Sequence, residues 1–192
     1  LWQTYHIKKG DIIKIGKILN GLRVYLSVKN GFIVKKEIWG LNNIKLKKAD
    51  VLQYNTFISQ DTRRIKQRFI PQYPQELELR VILSYQAKYF SKEQKNKFFS
   101  NTYIVSNEIS RMGYKLKGEP IFCDISDIIS EGIAFGSIQI PKDGQPIVLL
   151  KDRQTIGGYP KIGVVLDLDC FKLVQAKPNT KIRFKKFLEL KN

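Results

Sequence analysis

The sequence predicts a mainly β chain with a few short helices. Short runs that alternate apolar and polar residues recur along its 192 residues, and most are bounded by Gly, Asn, Asp or Pro turn signals. Signals that start a helix are few and lie far apart.

Taken in order, residues 12–15 alternate after the turn Lys9-Gly10-Asp11. Residues 22–28 alternate again, with Leu22, Val24, Leu26 and Val28 on one face. Asn30-Gly31 marks a turn. Ile44 and Leu46 lead into Lys48-Ala49-Asp50 and a strand over 51–54. The turns at Lys9-Gly10-Asp11, Lys48-Ala49-Asp50 and Asn179-Thr180-Lys181 each precede an alternating run, a turn-into-strand device common in small β-barrels. Its period is too short for a solenoid repeat.

Residues 57–76 break the pattern. They are polar and Pro-bearing, with a basic group of Arg63, Arg64, Lys66 and Arg68, and read as a solvated connection. The predicted organisation is therefore an N-terminal β lobe over 1–56, a connection over 57–76 and a second lobe over 77–192. Leu77, Leu79, Val81 and Leu83 share one face of a strand. Ser91 is a good helix N-cap, and Gln94 completes a capping box for a helix over about 92–99. Asp167 or Asp169 caps a second helix that ends before Pro178. Residues 182–187 form the closing strand.

Composition narrows the function classes. There is no run of 18 or more apolar residues, so no membrane-spanning helix is expected. The start carries no secretory signal, and a cytoplasmic location is expected. The chain does not begin with Met, and an upstream segment is expected. Cys123 and Cys170 have no metal spacing and read as reduced thiols. His6 is the single histidine, which removes most His-based metal sites and nucleophile pairs. The net charge is +17, yet the basic residues are 26 Lys against 8 Arg and are scattered. Base reading leans on Arg forks, so the charge reads as a positive surface for anionic substrates and not as a nucleic-acid interface. There is no P-loop and no dinucleotide fingerprint.

Special residues concentrate in Gly144–Pro160 (GQPIVLLKDRQTIGGYP). A strand at Ile147-Val148-Leu149-Leu150 is followed by Asp152, Arg153, Gln154 and Thr155, then Gly157-Gly158 and Tyr159-Pro160. Arg153 can hold a carboxylate or phosphate, Gln154 and Thr155 can donate and accept, and Asp152 can orient Arg153 or act as a base. Gly157-Gly158 permits close approach of a ligand or another chain. Tyr159 offers an aromatic wall. The structural alternative is a hairpin turn in which Asp152 and Arg153 pair with each other.

Three separated runs resemble one family. They are Val105–Gly118 (VSNEISRMGYKLKG), Ser130–Pro141 (SEGIAFGSIQIP) and Asp143–Lys161 with its DRQT and GGYP segments. The chain is identified as a member of the KipA-like family, also called allophanate hydrolase subunit 2 or the C subunit of 5-oxoprolinase, related to the carboxyltransferase portion of urea carboxylase. The resemblance implies a cyclophilin-like β-barrel and a site shared with a KipI-like protein, the B subunit of 5-oxoprolinase. It implies a third subunit and ATP-dependent opening of 5-oxoproline to glutamate, with ATP not necessarily bound by this chain. It adds Glu131, Gln139, Gln145 and Arg111 to Asp152, Arg153, Gln154, Thr155 and Tyr159 as candidate substrate-binding residues, and assigns no catalytic base. Two other roles follow from the same family: a regulatory antagonist of a KipI-type partner, and a carboxyltransferase component with a biotin carrier. The chain departs from the family at Trp39–Asn43, at Ser84-Tyr85-Gln86 where Gly-Pro-Gln is usual, and at Lys115 where Arg is usual. It also lacks about the first third of the family's length.

Overall fold

The computed structural model describes residues 1–33, 46–56, 62–125 and 128–187. The expectations placed on Ile44, on 39–43 and on 57–61 lie outside the described residues. The chain divides into two units, Leu1–Lys17 with Val24–Pro71, and Ile18–Arg23 with Gln72–Asn192.

In the first unit, β1 (Phe32–Ile33) pairs antiparallel with β2 (Gln53–Tyr54). The turns at Lys9-Gly10-Asp11 and Lys48-Ala49-Asp50 share one device. Lys8 N–H donates to Asp11 Oδ2 at 2.7 Å, and Lys47 N–H donates to Asp50 Oδ2 at 2.6 Å. The aspartate side chain thus closes the turn that its own backbone enters. Gly10, Ala49 and, in the other unit, Asn179 take positive φ at these turns. Residues 12–15 and 22–28, expected as strands, are not strands. Alternation assigns faces, but a ladder needs a partner, and among the described residues nothing pairs with either run. The basic stretch of the expected connection is tied down locally. Gln3 bridges Arg64, Thr4 N–H donates to the Arg63 carbonyl at 2.8 Å, and Ile65 N–H donates to the Trp2 carbonyl.

The second unit is a closed β-barrel, as expected of a mainly β chain with a few short helices. Its strands are β3 (Glu76–Leu83), β4 (Thr102–Ile109), β5 (Gly113–Lys117), β7 (Ser137–Gln139), β8 (Ile147–Leu149), β10 (Lys161–Val165) and β11 (Lys181–Lys186), in the order β10-β3-β11-β4-β5-β8-β7. A separate ribbon pairs β6 (Glu131–Gly132) with β9 (Ile156–Gly157). The alternating faces predicted for β3 are realised: Leu77, Leu79 and Val81 point into the core with Tyr103, Tyr114, Leu116, Val148, Ile162 and Ile182. Burial of each such side chain contributes roughly 1.5–3 kcal/mol. β3 and β11 run parallel, with Lys181 opposite Glu76, and Lys181–Glu76 and Lys185–Glu78 ion pairs sit on the outer face at 3.0 and 3.2 Å.

Helix α1 (Lys92–Ser100) starts as expected, with Ser91 Oγ accepting from Gln94 N–H at 3.2 Å. The capping box is only half made. Gln94 Oε1 accepts from Phe122 N–H at 2.9 Å, so its side chain holds a loop in place of the cap. The buried face of α1 delivers Phe98, which stacks on Phe184 of β11 at 4.4 Å. Helix α2 (Asp167–Leu173) has Leu166 at its N-cap position, with no side-chain cap from either aspartate. Asp169 is instead fully buried. Its carboxylate takes Arg80 Nε at 2.8 Å, Arg80 Nη2 at 3.1 Å, the Arg80 backbone N–H at 2.9 Å and Lys172 Nζ at 3.0 Å. The expected cap is a staple between α2 and β3.

Gly136 precedes β7 with φ +82°, and a Cβ there would lie 2.5 Å from the Val165 carbonyl. Gly136→Ala is expected to lower stability by about 2–4 kcal/mol, because backbone strain and a backbone clash act together. Urea denaturation monitored by circular dichroism measures it, and a midpoint equal to that of the parent chain refutes it.

Candidate functional site

The site grows from two buried polar residues on neighbouring barrel strands. Gln139 at the end of β7 lies directly opposite Lys161 at the start of β10, and both are buried. Burying an ammonium requires a partner, and Glu131 on the ribbon supplies it: Lys161 Nζ pairs with Glu131 Oε1. The β6–β9 pairing sets Glu131 opposite Gly157 and so brings the ribbon onto this end of the barrel. Ile133 N–H, donating to the Thr155 carbonyl at 2.9 Å, extends the pairing.

A 3-10 turn over Tyr85–Tyr89 completes the cluster. Gln86 is fully buried and faces two ways. Its Oε1 accepts from the Lys161 backbone N–H at 2.8 Å, while its Nε2 donates to Glu131 Oε1 and, at 3.2 Å, to the Tyr85 hydroxyl. Tyr85 donates its hydroxyl to Glu131 Oε2. One carboxylate therefore gathers a lysine, a glutamine and a tyrosine. The Lys161 bond and then the Tyr85 bond hold the Glu131 pKa below the ordinary carboxylate value, and burial opposes them only in part. The same contact raises Tyr85, since Glu131 holds the hydroxyl proton in place. Glu131 is thus ionised at neutral pH, poor as a general acid or base and good as a fixed acceptor.

Gln139 Nε2 is buried with no hydrogen-bond partner. It lies under Gly157, where a Cβ would fall 3.1 Å from that nitrogen and 2.9 Å from Ile133 Cδ1. A Cβ on Gly158 would fall 2.9 Å from the Ile128 carbonyl. Neither glycine needs positive φ, so the pair is required by close packing of the chain on itself. Next to the cluster opens a cleft of about 370 Å³ lined by Tyr85, Tyr89, Ile128, Ile129, Ser130 and Glu131 among others.

The remaining candidates separate. Asp152 does not orient Arg153. Its carboxylate is bound by Arg111, Nε to Oδ2 at 2.7 Å and Nη2 to Oδ1 at 3.0 Å. Arg153 is held by carbonyls, Nε on Ile133 at 3.0 Å and Nη1 on Leu150 at 3.2 Å. The expected Asp152–Arg153 pair is replaced because Arg111, on the turn before β5, reaches the carboxylate first. Gln154 and Thr155 are exposed, and Gln154 Nε2 lies 3.7 Å from the Cβ position of Gly157, which places it beside the cluster. Tyr159 is 46% exposed. Gln145 clamps Gly118 through both ends of its amide, at 2.9 and 3.1 Å. Among the candidates, Glu131 and Gln139 converge with Lys161.

Sequence reasoning missed Lys161, Gln86 and Tyr85. The signals were present: Lys161 directly follows the GGYP segment, and Tyr85 and Gln86 lie in the segment that departs from the family. Both cysteines are free thiols, and burial together with the charges of Asp167 and Asp169 pushes Cys170 up to about 12, so it is no nucleophile. Among the described residues no group of His, Cys, Asp and Glu could hold a metal ion, and no helix is long and apolar enough to cross a membrane.

Residues 1–186 match the model of the carboxyltransferase domain, subdomain A and B, and the chain belongs to that family. It is 29% identical over 192 residues to the C subunit of 5-oxoprolinase from Haemophilus influenzae, a match covering 94% of this chain and 61% of that protein. It is 28% identical over 200 residues to the corresponding 5-oxoprolinase protein of Escherichia coli, covering 96% and 63%. The chain thus spans less than two thirds of the length of these curated relatives. The crystal structure of the Kluyveromyces lactis urea carboxylase shares the fold, with a TM-score of 0.75 over 93% of this chain and 19% of that one at 24% identity.

Proposed function

We propose that this chain works as part of the C subunit of an ATP-dependent 5-oxoprolinase, which converts 5-oxoproline to glutamate together with a KipI-like B subunit and a third subunit. The observation that carries this reading is the likeness to two bacterial proteins named as that component of 5-oxoprolinase, across more than nine tenths of the chain. The geometry agrees with a shared site. The cluster offers a charged acceptor and buried donors, while its carboxylate is committed to Lys161 and the Cys170 thiol is inert. In this reading a base and a nucleophile come from a partner. The cluster stands in this reading for substrate binding, with Gln154 at its edge. In this reading ATP is used by the assembled enzyme and is not necessarily bound by this chain.

The test is reconstitution of the full-length protein with its two partner subunits. Glutamate release should require both ATP and 5-oxoproline, and should fall about a hundredfold in Lys161→Met, as expected when Glu131 loses the ion pair that positions it. No turnover in the complete assembly would reject the reading. The family description supports a second one, carboxyl transfer, in which a biotin carrier is the partner. Incorporation of labelled bicarbonate that depends on a biotin-bearing protein would favour it.

A further inference from the structure

Arg153 stands apart from the other candidates in what it holds. Its Nε donates to the Ile133 carbonyl at 3.0 Å and its Nη1 to the Leu150 carbonyl at 3.2 Å. Neither acceptor is charged, and the carboxylate next to it in the chain, Asp152, is bound by Arg111. The two carbonyls belong to different arms of the ribbon. Ile133 directly follows β6, while Leu150 directly follows β8 and opens the loop that leads to β9. Ile133 is held on both sides, because its own N–H donates to the Thr155 carbonyl at 2.9 Å. Glu131 lies two residues before Ile133 in the same arm. Two residues per strand give the ribbon little hold of its own. Its place on the barrel is set by attachments: Glu131 on Lys161, Gln86 and Tyr85 at one end, and Arg153 at the other.

We propose that Arg153 is a positioning residue of the site: its guanidinium clasps the main chain of both arms and fixes the ribbon so that Glu131 meets Lys161, Gln86 and Tyr85. A guanidinium suits this task because Nε and Nη1 donate in one rigid plane, so two fixed carbonyls are met at once. An ammonium is a single point on a flexible stem and cannot reproduce that fork. The clasp uses the shape of the group and not its charge. Both carbonyls belong to buried residues, where an acceptor left without a donor is costly, so the ribbon is drawn to the one place that satisfies both. Arg153 therefore acts through Glu131, and the anion-holding role that residue order offers for it is replaced by a hold on the protein's own backbone.

The ionisation of Glu131 reports its position, since contact with Lys161 and then Tyr85 holds it below the ordinary carboxylate range. The test follows the Glu131 carboxyl by NMR through a pH titration of the full-length protein, isotope-labelled at glutamate and assigned with Glu131→Gln. In Arg153→Lys the titration should move up toward the ordinary range although the charge is kept, because the ribbon no longer holds Glu131 against its partners. In Arg153→Gln, which loses fork and charge together, it should move at least as far. Asp169→Ala breaks the link between α2 and β3, controls for lost stability, and should leave the Glu131 titration as in the parent. An unmoved titration in Arg153→Lys, or an equal movement in Asp169→Ala, overturns the proposal. The consequence for turnover rests on the 5-oxoprolinase reading. In the reconstituted enzyme Arg153→Lys should lower kcat about a hundredfold, since misplacement by about an ångström suffices for that. The two fail separately. A parent assembly without turnover rejects the 5-oxoprolinase reading alone, and full turnover in Arg153→Lys rejects the positioning role alone.

Discussion

Glu131→Ala is expected to destabilise the barrel by about 3 kcal/mol, and adding Lys161→Met is expected to restore most of that loss. The single variant leaves a buried ammonium without its countercharge and removes one of the two acceptors of Gln86 Nε2. Methionine matches the lysine stem without the charge, so the double variant removes the uncompensated group as well as the pair. The coupling between the two sites should therefore exceed about 1.5 kcal/mol in a double-mutant cycle of urea midpoints, well beyond the additivity of independent sites. Additive losses would show that the pair is not the means by which Lys161 is tolerated in the core.

Asp169→Ala is expected to cost about 3 kcal/mol for a related reason, and it carries a pH signature that the first pair shares only weakly. Burial alone would raise the Asp169 pKa, but the Arg80 side chain and backbone N–H and then Lys172 outweigh it and bring the value down to about 2. The folded value lies below the unfolded one. The contribution is thus fully present above about pH 4, the ordinary aspartate range, and is lost as pH falls through the interval down to about 2. Stability measured against pH should drop over that interval in the parent chain, with a smaller drop in Asp169→Ala. Parallel curves for the two proteins would refute it.

Much of the barrel is legible from residue order because its strands bury one face. Leu77, Leu79 and Val81 alternate for that reason, and Ser91 announces α1 through a bond to a residue three positions on. Runs 12–15 and 22–28 alternate as well, yet form no strands, because pairing depends on a neighbour that a linear pattern does not name. The same limit governs the site. Asp152 and Arg153 are adjacent in the chain, but their partners are Arg111 and the Ile133 carbonyl, brought near by strand register. In residue order alone, Lys161 is one of 26 lysines and has no mark of burial. Only the placement of Gln139 opposite it, and of Glu131 on a separate ribbon, makes it a buried charge. Local rules reward an aspartate at a helix start and so mark Asp169 as a cap, while Arg80 claims it from 89 residues away.

The parallel pairing of β3 with β11 has a bearing on how this chain reaches its native state. Glu76 and Lys181 stand 105 residues apart, yet they meet in the seam that closes the barrel. Loop closure over that length cannot be rewarded until nearly all of the barrel sequence has left the ribosome, and such non-local pairings fold slowly. Until β11 arrives, β3 and β4 each expose an unpaired edge capable of recruiting other chains. The glutamates of β3 keep its edge charged during the wait, and the lysines and arginine of β11 do the same for the strand that has yet to dock.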